Sequence, residues 1–242
     1  MVLHGKNGES GLCGGDAVAE PVRRYLENCR VYHFNDTGDS AGFKQSPFLT
    51  DTAYFYRDGK NLAAFLYMLK TRFPGNYGSI VDSVQTIAPF FHDFFLVPDG
   101  TNGDRTILLR WLNKTGEEPF SAQQLSDGTA RFICMATLFL QPPHLLPPLV
   151  VLDEPELGLH PAAMTVLADI IKSAAKHTRI LCTTQSVTFA NEFGPECFIV
   201  VDQKDGVSTF SRPDSAALDI WLDDYAMGDI WNKSLIGGQP AW

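Results

Sequence analysis

No apolar run in the chain approaches the roughly 18 to 20 residues that a membrane helix needs. The N-terminus lacks the apolar core of a signal peptide. The five cysteines, Cys13, Cys29, Cys134, Cys182 and Cys197, form no CxxC pair. That spacing excludes a thiolate zinc knuckle and leaves reduced, structural thiols of an intracellular protein as the expectation. No HxxxH pair offers a zinc face on a helix. Positive charge is short as well: 19 Lys and Arg against 28 Asp and Glu give a net charge of −9 and a pI near 5.0. A surface coated in basic residues for non-specific nucleic-acid binding is excluded, although a local basic strip is not. These absences together predict a soluble, cytoplasmic chain.

One more absence bears on chemistry. A phosphate-cradling P-loop needs GxxxxGK[ST] between a strand and a helix, and no such string occurs. The nearest, "HGKNGESG", has Gly5-Lys6 but no serine or threonine after the lysine, and no strand precedes it.

What is present is an ordinary globular composition, 45% hydrophobic and 19% charged, in 242 residues. That length suffices for a sizeable core. Residues 1–20, with five glycines in "HGKNGESGLCGG", favour a flexible segment. From Pro21, "PVRRYLEN" predicts a short helix, and "VYHF" a short strand. In "KNLAAFLYMLKTRF" the residues Leu62, Phe65, Leu66 and Leu69 share one helical face until Pro74-Gly75. "YGSIVDSVQTIAPFF" repeats the pattern with Ile80, Val81, Val84, Ile87 and Ala88 until Pro89. "DFFLV" and "RTILLRWL" predict a hairpin with Ile107, Leu109 and Trp111 on one side. Residues 21–118 thus divide off as a helical lid with a β-hairpin region, and 119–242 as a C-terminal lobe.

In that lobe helix and strand alternate. "TARFICMATLFL" is an apolar helix and "LVVL" a strand covered on both faces. "PAAMTVLADIIKSAAK" is an amphipathic helix, "RILCTT" another buried strand, and "CFIVVDQKDGVSTFSR" a hairpin turning at Asp205-Gly206. The alternation implies an α/β fold, a mainly parallel sheet flanked by helices.

Three polar clusters punctuate it. The strand of "VVLDEPELGLHP" delivers Asp153 and Glu154 to the sheet's C-terminal edge, where open α/β sheets bind ligands. Asp153 would hold Mg²⁺, since a hard cation prefers carboxylate oxygen. Glu154 would deprotonate an attacking water, a role worth roughly 10² to 10⁴ in rate. A strand simply ending in an acidic loop reads the same in isolation. Upstream, "LSDGTAR" places Ser126 or Asp127 as a helix cap and Gly128 where a phosphate can approach the backbone. An ordinary cap has the same residues. Downstream, "TTQS" sets Gln185 after the next strand, able to donate a hydrogen bond to a phosphate oxygen or a water. A polar loop is the plain alternative.

In this order and spacing, "LSDG", "DEPELGLHP" and "TTQS" resemble the signature motif, the Walker B motif with D-loop, and the switch loop of an ABC-type ATPase head. The resemblance is closest to the SMC- and RecF-like branch and the bacterial AAA-family ATPases, and runs from about Val31 to "LIGGQP". It implies a partial P-loop NTPase fold with ATP and Mg²⁺ as cofactors. It also implies two heads paired head to tail, Ser126, Asp127 and Gly128 of one capping the γ-phosphate bound by the other, with Leu159 and His160 lining the interface. Where many ABC transporters have a switch histidine this sequence has Gln185, which hydrogen-bonds but carries no proton charge. The pairing implied is a homodimer or a P-loop-containing homologue, with DNA or a DNA-processing partner left open and no membrane contact.

Family members carry their P-loop N-terminal to the region matched, so the chain is expected to lack that lobe. An exposed apolar flank beside Val150 to Leu152 and Ile180 to Leu181, or its burial by a partner chain, follows. Two functions remain: ATP hydrolysis, this chain supplying signature, metal carboxylate, base and switch, or a non-hydrolysing module that docks on a homologue. A nuclease using paired carboxylates and two metals lacks a further acidic cluster at the sheet edge.

Overall fold

The spacing of Leu62, Phe65, Leu66 and Leu69 forms the helix it predicts in the computed structural model, which describes residues 19–100 and 105–238. All four side chains are fully buried. Residues 1–18, most of the stretch expected to be flexible, lie outside the described residues. Helix α1 (Ala19–Glu27) starts two residues before Pro21 and leads into strand β1 (Arg30–Tyr32). Helices α2 (Leu62–Arg72) and α3 (Pro74–Ile87) follow, with Pro74 both closing one and opening the next. Proline suits a first turn, where its missing N–H has no helical partner to lose.

Strands β2 (Phe91–Phe94), β3 (Arg110–Asn113) and β4 (Phe120–Ser121) make an antiparallel sheet. β2 begins two residues before the "DFFLV" run, and β3 occupies only the end of "RTILLRWL". Ile107, Leu109 and Trp111 are nonetheless buried together, and Trp111 stacks on Phe120 with centroids 4.8 Å apart. Helix α4 (Asp127–Leu140) is apolar on nearly every side from Phe132 to Phe139, and every residue of that stretch is buried. It packs between α3 and α5 (Pro161–Ala174). Filling that position with Phe132, Ile133 and Leu138, all fully buried, stabilises the fold by about 1.5–3 kcal/mol per side chain.

The principal sheet runs β1–β5–β6, with β5 (Leu149–Asp153) in the middle and β6 (Arg179–Thr183) at one edge, every pairing parallel. Beyond it come a short helix α6 (Val187–Ala190), the hairpin of β7 (Val200–Lys204) and β8 (Val207–Ser211), and helices α7 (Ser215–Leu222) and α8 (Met227–Asn232). The hairpin turns at Asp205 and Gly206, whose φ values of +52° and +77° are the left-handed pair that a tight two-residue turn demands.

Register decides what this sheet presents. Tyr32, Val150 and Leu152 are buried, with Ile180 and Cys182 half-buried on the same face, against the helices. Val31, Val151 and Leu181 are register partners on the opposite face. There Val31 is 39% and Leu181 47% exposed. Parallel strands are normally covered on both faces, so among the described residues this row is an uncovered apolar stripe, the flank the sequence leads one to expect. The expectation that "RILCTT" is a wholly buried strand does not hold. Among the described residues β6 pairs only with β5, so its outer edge and alternate side chains remain exposed.

Candidate functional site

Four apolar residues of β5 carry the chain through the sheet, and Asp153 emerges at its C-terminal end. The parallel register sets Asp153 directly beside Thr183, the last residue of β6. The Thr183 hydroxyl donates a short hydrogen bond to Asp153 Oδ1. Glu154 turns sharply at φ +43°, an unusual conformation for a residue with a side chain, and its N–H donates to the Thr183 carbonyl at 3.0 Å. Both carboxylates therefore stand at one rim, held from below by the neighbouring strand. Asp153 is exposed and on the uncovered side of the sheet.

The chain then folds through a turn, Leu157 N–H to Glu154 carbonyl at 3.1 Å and Leu159 N–H to Glu156 carbonyl at 2.9 Å. Gly158 takes φ +76°, where a side chain would be strained. Leu159, expected at a dimer surface, is instead turned into the core. The physical reason is the turn itself, which alternates inward and outward positions and leaves Leu157 46% exposed in its place. His160 is exposed, and its Nδ1 accepts from the Ala162 N–H at 3.3 Å to cap α5.

Ser126 is the N-cap of α4, its hydroxyl accepting from the Thr129 N–H at 3.2 Å, and both Ser126 and Asp127 are exposed. Gly128 was expected to leave room for a phosphate. Its open side faces this chain's own turn: a Cβ added there would come within 3.0 Å of the Gly158 carbonyl oxygen. Three residues on, Arg131 donates from Nη1 to the Leu157 carbonyl at 2.7 Å and from Nη2 to the Asn35 carbonyl at 2.9 Å. The start of α4 is thus fastened onto the loop that follows the carboxylates. Gln185 is exposed in the loop after β6.

Sequence reasoning passed over Glu156. It is 5% exposed, it accepts a short hydrogen bond from the Thr184 hydroxyl at Oε1, and Oε2 is buried with no partner among the described residues. Burial raises its carboxyl above the ordinary range, the Thr184 hydroxyl partly offsetting this and the Glu154 charge adding to it. Cys182 is pushed up to about 12 by burial, with the Glu156 charge assisting.

No group of three or more His, Cys, Asp and Glu able to enclose a metal occurs among the described residues. Mg²⁺ does not require one, because it keeps its waters and takes one or two carboxylates plus phosphate oxygens. Asp153, exposed and bonded to Thr183 at one oxygen only, fits that demand. A phosphate cradle of the GxxxxGK[ST] kind is not in the sequence.

Residues 31–191 match the model of a protein family described as "AAA domain, putative AbiEii toxin, Type IV TA system". The chain belongs to this family. A relative from Streptomyces coelicolor, named "Putative ABC transporter ATP-binding protein", is 31% identical over 115 residues, 48% of this chain and 40% of that protein. The match therefore spans less than half the length of that relative. An SMC head solved with the C-winged helix domain of ScpA shares the fold with a TM-score of 0.55 at 17% identity, covering 80% of this chain and 57% of that one. The SMC head of Pyrococcus furiosus, bound to the C-terminal domain of ScpA, gives 0.50 at 17%, covering 66% and 40%. The parallel sheet with its flanking helices is the fold of these SMC heads, as the motifs implied. Family membership supports a nucleotide-binding ATPase function for the class. No helix among the described residues is long and apolar enough to cross a membrane.

Proposed function

We propose that this chain forms the carboxylate-bearing part of an ATP-hydrolysing head and works with a P-loop supplied by a paired chain that carries one. The observation that carries the reading is the rim at the ends of β5 and β6, where Asp153 and Glu154 stand together and Thr183 orients Asp153. In this reading Asp153 holds Mg²⁺, which when bound neutralises the charge of the phosphates. Glu154 takes the proton from the attacking water. Gln185 donates a hydrogen bond to that water or to a phosphate oxygen. Ser126, Asp127 and Gly128 present the N-terminal end of α4 to the γ-phosphate of the paired head, where N–H groups and the helix dipole favour an anion. His160 and Leu157 line the contact between heads, and the apolar row Val31, Val151 and Leu181 seats the partner. The partner in this reading is a P-loop-containing homologue, since a second copy of these residues brings no GxxxxGK[ST] string.

The test mixes the chain with a P-loop-bearing homologue and measures phosphate release and association. Glu154→Gln is expected to lower turnover by about 10² or more and to accumulate ATP-bound pairs on size-exclusion chromatography. A Glu154→Gln pair that hydrolyses ATP like the unmodified one removes Glu154 as the base. The uncovered sheet face also favours a second reading, a docking module that hydrolyses nothing. Calorimetry of the isolated chain with ATP and Mg²⁺ separates the two: absence of heat, together with tight association with the homologue and no gain in its turnover, supports the module.

A further inference from the structure

Burying a carboxylate is expensive, and folded chains leave one inside only where specific contacts hold it. Glu156 is buried, yet it makes no ion pair among the described residues and leaves one oxygen unmatched. What it does make is a link between two loops that are distant in sequence. Its own loop follows β5 and carries Asp153 and Glu154. The loop it reaches follows β6: Glu156 accepts from the Thr184 hydroxyl, and Thr184 Oγ1 in turn accepts from the Ser186 N–H at 3.0 Å. Ser186 then caps α6 by accepting from the Phe189 N–H at 3.2 Å. Gln185 sits between the two residues so restrained.

We infer that Glu156 is a positioning residue, a buried brace that fixes the Thr184–Ser186 loop against the carboxylate loop and thereby sets where Gln185 stands. Charge is not what the brace requires, since an amide oxygen of the same reach also accepts the Thr184 hydroxyl. Length and acceptor are. The connection of Gln185 to turnover rests on the function proposed above, but the brace itself does not, and the two can be tested apart.

Amide hydrogen exchange on the intact chain, without nucleotide, reads the brace directly. Glu156→Ala is expected to speed exchange of the 185–190 amides by about tenfold, the loss of one hydrogen bond of ordinary worth, while α4 and β5 exchange as before. Glu156→Gln is expected to leave the loop as protected as the unmodified chain. Thr184→Val cuts the same link from the other end and serves where Glu156→Ala does not fold. In the paired ATPase assay Glu156→Ala is expected to lower kcat about tenfold with KM unchanged, Glu156→Gln to restore it, and Glu156→Ala added to Gln185→Ala to lower kcat no further. Unchanged exchange at 185–190 in both Glu156→Ala and Thr184→Val overturns the brace, as does faster exchange spread evenly over β5, α5 and α6. If the unmodified pair hydrolyses nothing, the ATPase reading fails and exchange alone decides the brace.

Discussion

Gly128→Ala tests whether α4 truly rests on the turn after the carboxylates. An added Cβ meets the Gly158 carbonyl oxygen at a separation that real Cβ atoms essentially never adopt, and the obstacle is backbone rather than a flexible tip. Relief requires the turn at 157–159 or the first turn of α4 to move, and Arg131 ties the two together through the Leu157 carbonyl. Overpacking of this kind costs about 1–3 kcal/mol. Against that stands the intrinsic gain of replacing glycine within a helix, up to about 1 kcal/mol, smaller in a first turn. The net expectation is destabilisation by about 1–2 kcal/mol, a fall in Tm of roughly 2–8 °C for a chain of this size. Gly78→Ala in α3 supplies the control, because nothing lies within 4 Å of a Cβ there. The propensity gain alone should raise stability by about 0.5–1 kcal/mol. Urea melts of both variants read the difference. If Gly128→Ala stabilises as much as Gly78→Ala, the backbone contact does not exist in solution and the fastening of α4 to this loop must be abandoned.

Three further outcomes follow from other contacts. Tyr77→Phe removes the hydroxyl that donates to Asp93 Oδ1 at 2.6 Å, leaving Asp93 its ion pair with Lys70, and should cost about 1.5 kcal/mol in urea melts; an unchanged midpoint would mean water replaces the phenol without loss. Leu181→Arg places a charge in the uncovered stripe, so it should leave chain stability within about 0.5 kcal/mol yet abolish pairing with the homologue by size-exclusion chromatography. Pairing that survives Leu181→Arg puts the partner elsewhere. Glu156 holds its proton more tightly folded than unfolded, so its contribution to stability is full below the ordinary carboxylate value of 4.5 and is lost as pH rises through its raised value. Glu156→Gln has no such proton, and its stability relative to the unmodified chain should therefore climb as pH rises from 4.5 through the raised value. A difference that stays constant across that range removes the linkage.

The helices α2 to α5 and strand β5 were legible because each has a strong periodicity or an unbroken apolar run, and nothing in its surroundings opposes that preference. The rim was legible in part. A hydrophobic strand ending in two carboxylates can be placed at a sheet edge from order alone, and the residues after the next parallel strand must stand beside it. Register could not be read. That Asp153 lies opposite Thr183, and that Val31, Val151 and Leu181 line up on the bare face, depends on pairings over 30 or more residues. The same holds for Gly128: a glycine signals close approach, but not by what, and the Gly158 carbonyl lies beside it. Leu159 was placed outside and lies inside, because a turn's alternation cannot be phased without its hydrogen bonds. Glu156 had one faint mark, a third acidic residue between Pro155 and Leu157 where the chain is about to return to the core.

These contacts make a continuous path within one chain. Ser126 caps α4, Gly128 lies on the Gly158 carbonyl, the 154–159 turn carries Glu156, and Glu156 holds Thr184 beside Gln185. Every step joins groups in direct contact, so a displacement at either end has no slack residue to absorb it. Contiguity alone does not establish coupling. A double-mutant cycle does: Gly128→Ala and Glu156→Ala, made singly and together, should depart from additivity by at least about 0.5 kcal/mol in urea melts. The sign follows from the geometry. Once Gly128→Ala has already pushed the turn away, the Glu156 link is strained or broken, and replacing its carboxylate changes less than it does in the unmodified chain. Additive effects would mean that the two loops answer independently, and the helix facing the paired head would then have no route to Gln185 through this turn.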